Sequence, residues 1–457
     1  MINAHAYAKQ IKGKTVAVFG IGKSNLAVIK ALVHEHVTVI AGDDKQDNID
    51  KAVAIGAVDG LMDCDWSSMA CLVLAPGVPL HFPEPHPVVR KARAAGVEIL
   101  CDVEILHRLH HHRQTVGITG TNGKSTTTAL VGHILKCCNV EAEVGGNIGH
   151  AVFDLDMPPV EGAFVIEMSS YQIDLCPTFA PDIAVHLNLT PDHLDRHGDM
   201  AGYYQAKRNI FRGAGVAIIG IDDEWSAKMA RDVAQQGERD VFQISVCEPV
   251  ERGVYILEGI LFDSMFGEAE KIATLNIGSL MGQHNAQNMA AAYAAIRMMG
   301  ISSDKIIKAM KTFPGLPHRQ FMVRRIGDVS YINDSKATNA EAAAKALACY
   351  HDIFWIAGGQ PKEGGLAGTE IFANRIRNVY LIGAAADDFA VALEKNNIPF
   401  SKCDVLDEAV TRAHHDAQKA GKGTVLLSPA CASFDQFKNF EERGDVFTSL
   451  VQELRGV

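Results

Sequence analysis

Residues 115–135 read TVGITGTNGKSTTTALVGHIL, and the physical character of this stretch changes twice along its length. It opens as an apolar run with the period of a buried strand, passes through a turn with glycines at 120 and 123, and enters an amphipathic helical pattern at Lys124. A strand, a glycine-bearing turn and a helix start in that order make a phosphate loop: free backbone N–H groups and the positive helix end hold phosphate, and a lysine reaches the terminal phosphates. Gly120, Thr121, Asn122, Gly123, Lys124, Ser125 and Thr126 are therefore the expected ATP-phosphate contacts, with the Ser125 hydroxyl as a ligand for Mg²⁺. The strict G-x-x-x-x-G-K-[ST] spacing would place glycine at 118, where the chain has Ile118, so the loop is a variant.

Working outward, residues 162–168 (GAFVIEM) form a strand that delivers Glu167 near its C-terminal edge. A carboxylate there suits Mg²⁺ beside a phosphate loop, and it equally suits a helix cap. Next comes HLNLTPDHLDRHGDMAGYYQAKRNIF, which crowds Asp192, His193, Asp195 and His197 together and sets Lys207 on a helix beyond them. Hard oxygen ligands with a histidine fit Mg²⁺ or Mn²⁺ and fit structural zinc poorly; a solvated polar loop is the other reading. Nearer the N-terminus, GIGKSN follows a strand and Asp43 lies about twenty residues further on, which is dinucleotide-binding grammar. Asn25 replaces the third glycine of that fingerprint, so a different nucleotide-bearing ligand is favoured over NAD(P). The histidines at 107, 110, 111 and 112 lack acidic neighbours of ligating type and read as a connection between domains.

Short apolar strands alternate with helical stretches across all 457 residues, which predicts an α/β protein of three domains. The expected boundaries are 1–112, a Rossmann-like unit; 113–315, a central P-loop ATPase-like unit with a mostly parallel sheet; and 316–457, a second Rossmann-like unit. A formal charge of −11 argues against a surface built for nucleic acid or anionic lipid. Ten cysteines without C-x-x-C pairing suggest reduced thiols and a cytoplasmic setting. Neither a signal core nor an apolar run long enough to span a bilayer is present, so membrane insertion is not expected.

Taken in order, GITGTNGKST, GGNIG, EMSSYQ, TPDHLDRH, YYQAK, GQHNAQN, LPHR, NDSKATN and SPACASFDQFKNFEERG resemble the Mur ligases of bacterial cell-wall synthesis, from Gly117 to Gly444. The first region resembles the UDP-binding domain of that family more loosely. The resemblance implies an ATP-dependent, ADP-forming amide ligase working through an acyl phosphate. Its C-terminal stretch is most similar to members that join D-glutamate to UDP-N-acetylmuramoyl-L-alanine, and the DNPR-type motif of diamino-acid-adding relatives is missing from the sequence. By the same resemblance Lys124, Glu167, His193 and Lys207 are the catalytic set, two Mg²⁺ ions are expected on Ser125, Glu167, His193 and Lys207, and Lys207 carries a CO₂-derived carbamate. Asn285 and Asn288 would read adenine, while Arg319, Asp334 and Lys336 would complete the ATP site when the third domain closes. Ser24, Asn25, Asp43, Gly77, Asn147 and Gln172 would meet the UDP-sugar substrate, and Lys362, Ser433 and Phe440 the D-glutamate. A monomer is expected. Rival readings are a ligase adding another amino acid, a folylpolyglutamate synthetase-like enzyme, and a non-catalytic nucleotide-binding regulator.

Overall fold

The computed structural model describes residues 2–110, 112–362 and 364–455. It contains three sheets. The first is built from β1 (Thr15–Phe19), β2 (Val39–Gly42), β3 (Met69–Leu74) and β4 (Ile99–Leu100), in the order β2-β1-β3-β4 and parallel throughout. Every residue from Val16 to Phe19 is buried, the pattern of a strand covered on both faces. The chain reverses its winding direction between β1 and β3, so the turns after these two strands flank one crevice. They approach closely: a Cβ on Gly20 would lie 2.6 Å from the Ala75 Cβ, which explains glycine in the turn.

Nine strands form the second sheet: β5 (Gln114–Thr119), β6 (Ala142–Gly146), β7 (Ala163–Glu167), β8 (Ile183–His186), β9 (Gly215–Gly220), β10 (Arg239–Ser245), β11 (Gly253–Leu257), β12 (Ile260–Asp263) and β13 (Glu270–Thr274). The order is β13-β12-β11-β10-β9-β8-β5-β7-β6, parallel from β6 to β11 and antiparallel at β12 and β13. With β5 between β7 and β8, register pairs Ile118 with both Glu167 and Val185, and Thr119 with His186. The C-terminal ends of three parallel strands thus converge where the order reverses, the place where open α/β sheets bind ligands. Ile118 is fully buried inside this sheet; the chain leaves it only at Gly120, whose φ of +154° is glycine territory. That is the physical reason the loop tolerates isoleucine where the strict motif has glycine.

These two sheets belong to one compact unit, residues 1–275 and 283–312. Within it the helix Asp102–His110 carries His107 and His110 of the run that the sequence suggested was a connection, with Leu106 and Leu109 buried on its inner face. His111 lies outside the described residues. Among the described residues no group of three or more metal-ligating side chains converges. Glu104 on the same helix has no exposed surface; it accepts the Arg108 Nε–H at 2.7 Å and the backbone N–H groups of Thr178 and Phe179 at 3.1 Å. Glu104→Ala leaves Arg108 paired with Glu98 but takes the acceptor from the N–H groups of Thr178 and Phe179, so it should cost about 1–3 kcal/mol, read as a shifted urea midpoint.

The other compact unit comprises residues 276–282 and 313–457. Its sheet contains β14 (Phe321–Ile326), β15 (Val329–Asn333), β16 (Ile353–Gly358), β17 (Ile376–Ile382), β18 (Phe400–Asp404) and β19 (Gly423–Leu427), in the order β14-β15-β19-β16-β17-β18. Only the β14 pairing is antiparallel. Alternate residues of β16 feed opposite faces: Trp355 and Ala357 pack with Leu426 and Phe389, while Phe354 and Ile356 pack with Tyr331 and Phe447. Helices therefore cover both sides, and the expected α/β architecture of mostly parallel sheets is what the chain adopts.

Candidate active site

At the end of β5 the loop 120–123 leads into the helix Lys124–Cys137, and Gly123 stands before it at φ +88°. A Cβ there would fall 2.2 Å from the Asn288 side-chain oxygen, so this position is closed to any other residue on two counts. Asn288 itself accepts the Thr127 hydroxyl at 3.2 Å and donates to Asn285 at 3.0 Å, which seats both asparagines against the loop. The Lys124 ammonium donates to the carbonyls of Gly120 and Thr121, each at 2.8 Å, within the loop it follows.

Glu167 is 1% exposed at the end of β7. One carboxylate oxygen accepts the Asn147 amide at 2.8 Å, and the other is buried without a hydrogen-bond partner. The helix-cap reading of Glu167 gives way here: the next helix, Ser170–Asp174, is capped by Ser169 in a reciprocal box with Gln172, whose oxygen accepts the Ser169 N–H at 3.0 Å. Lys207, also 1% exposed, donates from Nζ to the Gly120 carbonyl at 2.8 Å and to the Thr119 hydroxyl at 3.2 Å. Burial, reinforced by the Lys124 charge, holds this amine well below the ordinary lysine range. His186, at the end of β8, is pushed down to about 3 by burial and by Lys207 and Lys124, which makes it a neutral neighbour.

A buried carboxylate oxygen with nothing to bind, next to an amine shifted toward its neutral form, fits Mg²⁺ and a lysine carbamate. A hard cation that keeps waters and phosphate oxygens needs few protein ligands, so the lack of a three-residue cluster among the described residues does not conflict with it.

His193 begins the one-turn helix Leu194–His197 with φ +55°; its side chain is about half exposed and lies 3.4 Å from Asp192. The acidic-histidine run does not converge as a single ligand set. His197 turns inward, its Nε2 2.9 Å from the Ser170 hydroxyl and its Nδ1 3.6 Å from Asp174.

In the first sheet, Asn25 is 2% exposed and donates to the carbonyls of Phe19 and Gly20 at 3.1 and 2.9 Å. It does by hydrogen bonding what the missing glycine of the fingerprint does by close packing. Asp43 accepts the N–H of Ile21 at 2.5 Å and of Lys45 at 2.9 Å, so it ties the turn after β1 to β2. Burial would raise its pKa, but these hydrogen bonds take it below the usual carboxylate value. Ser24 lies one residue into the helix Lys23–His34, and Gly77 is exposed in the turn after β3.

In the other unit Asp334 follows β15 and accepts the Gln320 N–H at 3.1 Å and the Ser428 hydroxyl at 2.8 Å. Burial lifts its pKa to about 7. An unfolded aspartate ionises near 3.8, so stability from this group is present at low pH and is lost as pH rises from about 4 through about 7. Asp334→Asn should flatten that part of the stability profile, measured by urea unfolding at stepped pH. The Lys336 ammonium stands 3.8 Å above the Phe440 ring, which joins two residues that the family resemblance assigned to different ligands. Ser433 is 2% exposed, while Lys362 is exposed.

Residues 118–296 match the Mur ligase middle domain. The full chain is 48% identical to the UDP-N-acetylmuramoylalanine–D-glutamate ligase of Nitrobacter winogradskyi, with 97% of each chain covered. With the corresponding ligase of Rhizobium meliloti the identity is 47%, covering 98% of each. The chain belongs to the UDP-N-acetylmuramoylalanine–D-glutamate ligases of the Mur ligase family. Solved Mur ligases share the fold at low identity: MurF of Acinetobacter baumannii superposes with a TM-score of 0.63 at 16% identity over 98% of both chains. The UDP-N-acetylmuramate–alanine ligase of Thermotoga maritima gives 0.60 at 16% identity, covering 96% of this chain and 99% of its own.

For a Mur ligase, several structural supports escaped the sequence reading. Asn188, two residues past the end of β8, accepts the Asn122 N–H at 2.8 Å and donates to Gln287 at 2.8 Å, bracing the loop after β5. Arg443 is 1% exposed and donates to Ser335 through both its hydroxyl, at 2.9 Å, and its carbonyl, at 2.8 Å. It also reaches the Cys431 carbonyl at 3.2 Å. Arg443 falls inside a motif quoted above, yet nothing in a linear charge pattern separates a buried arginine from the solvated charges beside it.

Proposed function

We infer that this chain couples D-glutamate to UDP-N-acetylmuramoyl-L-alanine with conversion of ATP to ADP and phosphate, in peptidoglycan precursor synthesis. The observation that carries the reading is 48% identity along nearly the full length of an enzyme named for that reaction. The cluster of Lys124, Glu167 and Lys207 around one strand end supports it.

In the first step the terminal carboxylate of the sugar substrate attacks the γ-phosphorus of ATP; the bond to the bridging oxygen breaks, leaving an acyl phosphate and ADP. The N–H groups of residues 120–125 and the Lys124 ammonium hold the phosphates and stabilise charge growing on the transferring group. The neutral amine of D-glutamate then attacks the acyl carbon, the C–O bond to phosphate breaks, and the amine loses a proton as the amide forms. Mg²⁺, when bound, neutralises phosphate charge and acts as a Lewis acid. Glu167 would hold one ion through its unpartnered oxygen, with Ser125, His193 and a carbamylated Lys207 completing the protein ligands of two ions. Asn147 keeps the Glu167 carboxylate oriented.

Asn285 and Asn288 are assigned to adenine, and Arg319, Asp334 and Lys336 to the rest of the nucleotide. Ser24, Asn25, Asp43 and Gly77 belong to the nucleotide-sugar side, the first through its hydroxyl and the others mainly as the frame of the crevice. Gln172 acts through the cap that shapes the loop after Glu167, and Lys362, Ser433 and Phe440 are assigned to D-glutamate. The enzyme works as a monomer in the cytoplasm. Among the described residues no helix is long and apolar enough to cross a membrane.

Phosphate release with UDP-N-acetylmuramoyl-L-alanine and single amino acids tests the reading. D-glutamate alone should support turnover; activity with L-glutamate and none with D-glutamate would overturn it.

A further inference from the structure

His193 has a left-handed backbone, φ +55°, at the start of a helix only four residues long. A β-carbon residue in that region is strained and persists only where surrounding contacts over-determine it. One helical turn cannot anchor itself to the rest of the molecule, because its own bonds are local: Arg196 and His197 N–H to the His193 carbonyl, Gly198 N–H to that of Leu194, and His193 N–H to Asp192. The restraint must come from side chains that grip other parts of the molecule, and Arg196 makes the most extensive grip.

The Arg196 guanidinium donates to the carbonyls of Gly77 at 2.7 Å, Val78 at 2.9 Å and Pro76 at 3.3 Å, all in the turn after β3. Its plane also covers the Tyr171 ring at 4.7 Å. Tyr171 in turn lies 5.0 Å from the His193 ring and stacks on His197 at 5.4 Å. His197 is fixed from below by the Ser170 hydroxyl at 2.9 Å. A further contact joins the same two segments: a Cβ on Gly198 would lie 3.1 Å from the Phe82 ring. The turn bearing His193 is therefore seated on residues 76–82 of the first sheet, with Arg196 as the fastening. Only a planar, multiply donating cation matches a fan of carbonyls and an aromatic face together; lysine offers a point charge.

We propose that Arg196 is a positioning residue for His193, through which the Gly77 turn on the nucleotide-sugar side sets the geometry of the phosphoryl-transfer site. The proposal rests on the function given above, since it assigns His193 and Gly77 their tasks from that reading. Lys23 makes a parallel link, donating from Nζ to the Gly149 carbonyl at 2.6 Å and so joining the turn after β1 to the loop that carries Asn147. Two cations thus connect the crevice of the first sheet to loops around Glu167 and His193.

The test uses the full-length enzyme with Arg196→Met, which keeps bulk without charge, and Arg196→Lys, which keeps charge without the fork. Because misplacing a catalytic group by about 1 Å can cost about a hundredfold, Arg196→Met should lose between tenfold and a hundredfold in kcat. Its KM for ATP should stay within about threefold, since the nucleotide contacts of loop 120–126 are untouched. Arg196→Lys should recover part of the loss, and millimolar methylguanidinium should restore Arg196→Met at least in part. Hydrogen exchange on the unliganded proteins gives a readout independent of turnover: Arg196→Met should speed exchange in both 76–82 and 192–198. Unchanged exchange in 192–198, or a kcat within twofold of the parent, would overturn the proposal. If both variants unfold, a parent-like kcat for the milder pair partner variant Tyr171→Leu, which removes the ring beneath the guanidinium, would overturn it equally. A parent that releases no phosphate with D-glutamate would refute the function itself, and the exchange result would then decide the coupling alone.

Discussion

Lys124→Ala is expected to lower kcat for D-glutamate-dependent phosphate release by about a thousandfold while leaving the fold intact. The ammonium lies within the loop, 2.8 Å from the carbonyls of Gly120 and Thr121, and its removal deletes no contact of the sheet core. On the function proposed above, what it removes is a positive charge that acts on the nucleotide phosphates. A single donor of that kind is worth about 10²–10³ in rate when it acts on charge that grows in the transition state, and a full cation lies at the upper end. Circular dichroism and the urea midpoint should stay close to those of the parent. A variant that retained a tenth of parental kcat would remove the phosphate loop from the chemistry and return the non-catalytic nucleotide-binding reading to contention.

Lys207 carries the second large effect. Its amine is fully enclosed, and burial beside Lys124 draws it toward the neutral form, which is the form that captures CO₂. A carbamate reverses the charge at this point from repelling a divalent cation to binding it. Lys207→Ala and Lys207→Arg should both lose about 10²–10³ in kcat, because arginine is permanently charged and forms no carbamate. The parent assayed in CO₂-depleted buffer should slow and recover on adding bicarbonate, with the variants indifferent to it. An active Lys207→Arg enzyme would show that a plain cation suffices there. The pH dependence has a defined sign: protonation of the amine competes with carbamate formation, so the bicarbonate requirement should grow as pH falls.

The turn after β5 shows how far linear reading reaches. A strand, two glycines, GKS and an amphipathic helix declare a phosphate loop because each element is local, spanning fewer than twenty residues, and the same chemistry recurs wherever it is needed. The α/β order was legible for a similar reason, since β16 and its neighbours advertise burial on both faces through unbroken apolar runs. Within the histidine run, His107 and His110 lie on a helix whose period, obscured in the sequence by the imidazoles, turns Leu106 and Leu109 inward.

By itself the sequence determined the fold class and, through its ordered motifs, the family of the chain. Tertiary structure alone decided which member of a polar cluster faces which partner. Nothing local to TPDHLDRH distinguishes His193, half exposed, from His197, which is buried against Ser170; that choice depends on a helix packed beside it. The buried oxygen of Glu167 likewise acquires its meaning from strand register, which places it beside Ile118 at the start of the phosphate loop. Residue type and short-range period are written along the chain, whereas burial and partner choice come from segments far apart in sequence, and burial is what shifts Lys207 and leaves Glu167 wanting a ligand.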